Sequence, residues 1–113
     1  NGAFTLLHIC GNNRPVLEDF ADTGVDLIEI DQKLDLAWCK QTVGGRVSLI
    51  GNLDPAGTIL RGTPEDVRRE SLRCIEQAGA GGGFILGTGC FVPYDSPVEN
   101  LRAMTEAAKE FRN

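Results

Sequence analysis

Several residue types are scarce in this chain, and each scarcity excludes a class of protein. Its 113 residues include only four cysteines, one histidine and one tryptophan. Four cysteines in a chain of this length are too few for the disulfide scaffold of a small secreted domain. Basic residues are also scarce, 11 against 16 acidic ones, which gives a net charge of −5. An acidic chain is poorly suited to bind nucleic acid or an anionic membrane surface, so neither is an expected partner.

Long apolar runs and targeting signals are lacking in the sequence as well. No run approaches the roughly 20 residues that cross a bilayer, and no charged start followed by an apolar stretch indicates a signal peptide. The glycine-rich segment at 78–83 contains no Gly-Lys-Ser/Thr and is therefore not a phosphate-binding loop. We expect a cytoplasmic protein with reduced cysteines. The chain has the size of one domain, but it opens at Asn1 without a methionine, and we expect it to be part of a longer protein.

Short apolar runs alternate with helical patterns along the whole chain. Strands are predicted at 4–10, 25–30, 46–50 and 84–86, with helices at about 15–23 and 36–43, after Thr63 and after Ser96. Strands that alternate with helices predict a parallel sheet with right-handed crossovers. The predicted fold class is therefore α/β, and both an open sheet and half of an eight-stranded barrel fit the pattern.

Capping residues mark the predicted helix starts. Asp35 and Thr63 are favourable N-caps, and Ser96 with Glu99 matches a capping box. Asn13 is a further candidate cap, for the first helix. The predicted inner face of the last helix consists of Leu101, Met104, Ala108 and Phe111.

The first predicted strand ends in a pattern that suits a metal site. His8 and Cys10 are two residues apart, so in a strand their side chains lie on one face, with Cα atoms roughly 6 to 7 Å apart. Cys90 also follows a short apolar run that ends in glycines. One imidazole and two thiolates suit zinc, and three protein ligands with an open fourth position are typical of a catalytic site. The alternative is a hydrogen-bonded core histidine and two small buried cysteines.

Other polar residues also fall at predicted strand ends. Asp31 follows the second strand, and Asn52 and Asp54 follow the third. Ligands bind at the carboxyl ends of the strands in parallel α/β folds, so these three residues are candidate catalytic residues. Each has a structural alternative, in which Asp31 caps the next turn and Asn52 and Asp54 shape theirs. Cys39 and Cys74 fall on predicted helices, and we expect both in the core.

Four motifs resemble the C-terminal part of the uroporphyrinogen decarboxylase superfamily, in the family's order and over nearly the whole chain. They are Leu7-His8-Ile9-Cys10-Gly11-Asn12, Gly51-Asn52-Leu53-Asp54-Pro55, Gly62-Thr63-Pro64-Glu65, and Gly89-Cys90-Phe91-Val92-Pro93 with Ser96-Pro97-Val98-Glu99-Asn100. A complete (β/α)8 barrel needs about 250 residues. The resemblance therefore implies that residues 1–113, with four βα units, form the C-terminal half of a (β/α)8 TIM barrel.

The resemblance favours one branch of this superfamily. The decarboxylase branch acts on a porphyrinogen without a metal and typically has Gly-His where this chain has Gly89-Cys90. A second branch, the zinc-dependent methylcobamide:thiol methyltransferases, uses a His-x-Cys…Cys motif that His8, Cys10 and Cys90 match. This branch implies a zinc cofactor, a methylated corrinoid on a partner protein as methyl donor, and a small thiol such as coenzyme M as acceptor. It also implies that Asp31 lies where an acidic group approaches the metal.

Half a barrel leaves one face and two edges of its sheet uncovered. We expect the chain either to self-associate, with two halves forming a barrel-like dimer, or to be only marginally stable. The longer protein is expected to be an enzyme, and this part is expected to be inactive by itself because it lacks some of the pocket. Two alternatives are a metal-free lyase similar to uroporphyrinogen decarboxylase, and a non-catalytic half-barrel or zinc-binding interaction module.

Overall fold

A single parallel sheet organises the protein. The computed structural model describes residues 2–111, and its four strands lie side by side in chain order. The strands are β1 Leu6–His8, β2 Leu27–Glu29, β3 Ser48–Leu53 and β4 Phe84–Thr88. The helices are α1 Leu17–Asp22, α2 Leu36–Val43, α3 Pro64–Ala78 and α4 Val98–Glu110, with a short 3₁₀ turn at Arg14–Val16 and a π-helical segment at Pro55–Leu60. The predicted α/β alternation with parallel strands is confirmed.

The boundaries of an edge strand and of an inner strand differ from the prediction. β1 is only three residues long, because it is an edge strand that pairs with β2 alone. β3 extends to Leu53, since it pairs on both sides and its last residues continue the ladder with β4 up to Thr88. Asn52 therefore lies inside a strand rather than in the turn that follows it.

Two of the predicted helix caps are present, and two are wrong. Asp35 accepts a hydrogen bond from Trp38 N at 3.2 Å, and Thr63 forms a reciprocal capping box with Asp66. The side chain of Asn13 does not cap the helix, because its amide donates to the carbonyl of Ile9, just after β1. The Ser96 box is also not formed, because the Ser96 hydroxyl donates to a preceding carbonyl at 2.7 Å and α4 begins two residues later.

The buried face of α4 is rotated by about one residue from the predicted one. Asn100 and Ala107 are fully buried, whereas Ala108 and Phe111 are exposed. The cause is the Asn100 amide, which donates to the carbonyls of Ile59 and Gly62 at 2.8 Å each and so faces inward. Leu101 and Met104 of the predicted face still pack against the core, so the apolar pattern predicts half of that face correctly. The two hydrogen bonds of Asn100 account for the remaining rotation.

The helices cover one face of the sheet and leave the other open. Residues that point towards the helices, such as Ile28 and Leu49, are almost completely buried and join both core cysteines in one cluster. On the opposite face Leu6 and Ile85 remain 53% and 51% exposed. This open face is the one predicted for half a barrel. Within residues 2–111, no helix is both long enough and apolar enough to traverse a membrane.

Candidate metal centre

The two outer strands of the sheet meet at the candidate site. β1 and β4 are separated by two strands, which in a flat sheet would put them about 14 Å apart. Nevertheless Cys10 Sγ and Cys90 Sγ lie 3.1 Å from each other. The loops after β1 and β4 therefore converge across the carboxyl ends of the two inner strands.

Gly89 makes this convergence possible. Its N–H donates to Leu53 O at 2.8 Å, and it lies against the backbone of Asp31 and Gln32 after β2. A Cβ atom placed on Gly89 would collide with the backbone nitrogen of Gln32. The absence of a side chain lets the β4 loop pass directly over β2, which delivers Cys90 to the β1 side.

The structure brings the three predicted ligands into one cluster. His8 Nε2 lies 3.1 Å from Cys10 Sγ, and the three candidate ligand atoms of His8, Cys10 and Cys90 are all within 4.8 Å of one another. Cys10 is exposed, while His8 and Cys90 are partly buried. Within the described part of the chain, this is the only group of three or more such residues with metal-binding spacing.

The donor set and its spacing fit a tetrahedral zinc ion. Ideal Zn–N and Zn–S bond lengths put neighbouring ligand atoms about 3.5 to 3.8 Å apart. The observed contacts of 3.1 Å are shorter, so an ion would need the side chains to open by only about half an ångström. The pKa of the Cys10 thiol is raised, first by its hydrogen bond with Cys90 and then by burial and nearby negative charge, including Asp31 and Glu29. A divalent cation would relieve this crowding of negative charge.

His8 has a contact that sequence reasoning did not identify. Its Nδ1 atom, on the ring edge away from the thiols, lies 3.0 Å from Glu29 Oε2 on β2. This nitrogen is buried and has no hydrogen bond of good geometry among the described residues, so the carboxylate oxygen is near it but off the N–H direction. The sequence feature that could have indicated this contact is Glu29 itself, a single charged residue inside the apolar run 27–30.

Asp31 lies beneath the cluster, where it holds two loops. Its Oδ2 accepts from Gly11 N at 2.9 Å, and its Oδ1 accepts from Lys33 N at 2.8 Å. It is 3% exposed. Both carboxylate oxygens are thus engaged by backbone N–H groups, as in the structural alternative, and the role of Asp31 at the metal stays a prediction.

Asp54 has the capping contacts of its structural alternative, whereas Asn52 lies within β3 and not in the predicted turn. Asn52 is 3% exposed, and its amide donates to the carbonyls of Asp31 and Leu34. Asp54 Oδ1 accepts from two backbone N–H groups at 3.0 Å and caps the π-helical segment. The structure places neither residue in the cluster of ligand atoms, so their catalytic role remains a prediction.

A hollow of about 420 Å³ adjoins the cluster on the open face of the sheet. It is lined by His8, Glu29, Thr88, Cys90, Phe91 and Val92. A larger hollow of about 620 Å³ lies at the opposite end of the strands, around the glycine-rich segment. Only the smaller one contains metal-ligating side chains, so it is the candidate substrate site.

Comparisons with known proteins identify a family match over nearly the whole chain. The model of the uroporphyrinogen decarboxylase (URO-D) family matches residues 2–111. A methylcobamide:CoM methyltransferase, MtbA, of Methanosarcina mazei is 40% identical over 108 residues, which are 96% of this chain and 30% of the relative. A methylated-thiol–coenzyme M methyltransferase of the same organism is 38% identical over 93% of this chain and 27% of the relative.

The similarity extends to the decarboxylase branch and to a solved structure. The uroporphyrinogen decarboxylase of Coxiella burnetii is 33% identical over 94% of this chain and 29% of its own length. A solved structure of a methyltransferase from Methanosarcina mazei matches with a TM-score of 0.87 and 32% identity, over 96% of this chain and 32% of the other. This chain therefore spans about 30% of the length of the curated relatives it matches.

Proposed function

This chain belongs to the uroporphyrinogen decarboxylase family, and we propose that it is the zinc-binding part of a methyltransferase. The proposed reaction transfers a methyl group from a methylated corrinoid, carried by a partner protein, to a small thiol such as coenzyme M. The observation that carries the proposal is the cluster of one imidazole nitrogen and two thiol sulfurs within 4.8 Å. The relatives named as methyltransferases support this reaction class.

The proposed chemistry follows from the donor set. His8, Cys10 and Cys90 would hold the zinc ion, which when bound lowers the pKa of a thiol and keeps it as the nucleophilic thiolate. Two cysteine ligands suit this task, because thiolate donors preserve electron density on the sulfur that reacts. In the overall reaction the acceptor thiol loses its proton, a sulfur–carbon bond forms, and the cobalt–carbon bond of the donor breaks.

The chain's own residues would bind and orient the acceptor. The hollow beside the cluster presents apolar atoms from Phe91 and Val92 and a hydroxyl from Thr88. The Thr88 hydroxyl donates to Cys90 O at 2.7 Å, so it fixes the loop that carries the ligand.

A metal-free decarboxylase is the second candidate function. It is favoured by the 33% identity with the Coxiella burnetii uroporphyrinogen decarboxylase. That function would leave the clustered thiols without a role, whereas the methyltransferase proposal uses all three side chains. A decarboxylase would bind a tetrapyrrole and retain no zinc.

Metal content of the purified, reduced chain tests the proposal. We expect about one zinc per chain by elemental analysis, as three protein ligands permit. Cys90→Ala should lose the zinc, and Cys39→Ala, which removes a buried thiol of the core, should retain it. Full zinc occupancy in Cys90→Ala would refute the ligand assignment. Folded wild-type protein without zinc would favour the decarboxylase-like or non-catalytic alternatives.

We also propose that the open face of the sheet is an association surface. Residues 1–113 would form the C-terminal half of a barrel, and a second copy of the chain would cover the face that exposes Leu6 and Ile85. Sedimentation at tens of micromolar should then show a dimer. A stable, well-folded monomer at that concentration would contradict this proposal.

A further inference from the structure

Glu29 is placed to act on His8 across the sheet. The two residues are directly paired in the register of β1 and β2, so their side chains leave the same face of the sheet. Their side chains are 22% and 27% exposed, and Glu29 Oε2 lies 3.0 Å from His8 Nδ1. Within residues 2–111, the contact with His8 is the only ion pair of Glu29, and no lysine or arginine pairs with its carboxylate.

A ligating histidine must keep its proton on the nitrogen that does not bind the metal. His8 Nε2 faces Cys10 Sγ at 3.1 Å, so Nε2 is the nitrogen aimed at the metal position. The proton must then be on Nδ1, which is buried and lacks a well-aligned acceptor. The free imidazole exchanges its proton between the two nitrogens, and the tautomer is set by the partner of the second nitrogen.

We propose that Glu29 is a positioning residue that holds the proton of His8 on Nδ1 and thereby directs the Nε2 lone pair at the metal. Reorientation of the Glu29 carboxylate about its 3.0 Å contact would give the Nδ1–H group an acceptor. Asp31, the acidic residue that the sequence suggested, has no hydrogen bond or ion pair with His8 among the described residues, and its oxygens accept from Gly11 N and Lys33 N. The inference rests on the proposed function only in naming zinc as the metal.

The histidine tautomer can be read directly, because His8 is the only histidine in the chain. The experiment uses the full, reduced, zinc-free protein labelled with ¹⁵N, at pH 8. Long-range ¹H–¹⁵N spectra should show the proton on Nδ1 in the wild type. Glu29→Ala should shift the population towards the Nε2–H form, and the control Glu76→Gln, an exposed acid on α3, should not.

Zinc affinity provides the second measurement, by competition with a chromophoric chelator. Loss of an acceptor to a ligating histidine typically weakens metal binding by about 10- to 100-fold. We expect this loss for Glu29→Ala and a smaller one for Glu29→Gln, whose amide oxygen still accepts from Nδ1–H. The Gln variant keeps the side-chain volume, so it reports on the contact even if the Ala variant does not fold.

The outcomes separate this inference from the proposed function. Unchanged tautomer populations in Glu29→Ala and Glu29→Gln, with zinc affinities within twofold of the wild type, would overturn the positioning role and leave the zinc site intact. A tautomer that depends on Glu29 in a protein that binds no zinc would support the positioning of His8 and refute the proposed function. Dependence of both measurements on Glu29 would support both.

Discussion

Asn52 is expected to make a large contribution to the stability of the fold. Its side-chain amide joins β3 to the loop after β2, through hydrogen bonds to Leu34 O at 2.9 Å and to Asp31 O at 3.2 Å. The carbonyl oxygen of the same amide accepts from the Cys74 thiol on α3 at 3.5 Å. One side chain thus connects the strand, the loop that carries Asp31, and a core helix.

The expected cost of Asn52→Ala follows from these contacts. The substitution leaves Leu34 O without its donor, which costs about 1 to 3 kcal/mol. Asp31 O keeps Leu34 N as a donor at 3.1 Å, so the loss of its hydrogen bond to Asn52 adds only about 0.5 to 1.5 kcal/mol. The free energy of unfolding should therefore fall by about 2 to 4 kcal/mol, a large part of the 5 to 15 kcal/mol typical of a domain. Asn52→Asp should be at least as destabilising, since an ionised carboxylate cannot donate to either carbonyl.

Urea unfolding followed by the fluorescence of the single tryptophan measures this effect. With a urea m-value of about 2 kcal/mol/M, the transition should move down by roughly 1 to 2 M. Protein concentration must be fixed, because association would itself shift the apparent stability. Gln41→Ala, a change at an exposed residue of α2, should stay within about 0.5 kcal/mol of the wild type. An equally small effect for Asn52→Ala would refute the reasoning.

Two further predictions concern the loop over the sheet and the core thiols. Gly89→Ala should abolish zinc retention, because the new Cβ collides with Gln32 and displaces Cys90. Gly45→Ala, at an open position, should retain the metal. Zinc in both variants would contradict this account of the loop. Burial raises the pKa of the Cys39 thiol to about 12, so at pH 8 its thiolate fraction is about a thousandfold below that of an ordinary thiol. In native zinc-free protein, a disulfide reagent should therefore modify only Cys10 and Cys90 quickly, and fast modification of more than two thiols would show that the core is open.

The fold was predictable because its signals are local. Alternating strands and helices appear in the sequence as apolar runs and caps, and α2 begins at the residue after Asp35 as its cap predicts. The grouping of His8, Cys10 and Cys90 was predictable for a related reason: parallel strands bring their carboxyl ends to one edge. The resemblance to the decarboxylase superfamily supplied what local patterns could not, namely that the sheet is part of a barrel.

The errors arise where another group competes for a side chain. Ser96 has the pattern of a cap, but the carbonyl of Pro93, outside the helix, takes its hydroxyl. Phe111 is on the predicted inner face of α4, but hydrogen bonds of Asn100 rotate that face. Glu29 was missed because its pairing with His8 depends on the register between β1 and β2, which the sequence does not specify. The contacts of Asn100 and Glu29 are nonlocal, so periodicity and capping rules do not register them.

The meeting of the β1 and β4 loops has a consequence for how the chain is held together. Cys10 and Cys90 are separated by 80 positions, so any bond that links them closes a loop containing most of the molecule. Restraining a loop of that length in the unfolded chain lowers its conformational entropy, by an amount worth about 4 kcal/mol in the chain-entropy model of covalent cross-links. The proposed zinc would thus cross-link the first and last βα units. Loss of the zinc would remove the link between the loops after β1 and β4, in a fold whose sheet already leaves one apolar face exposed.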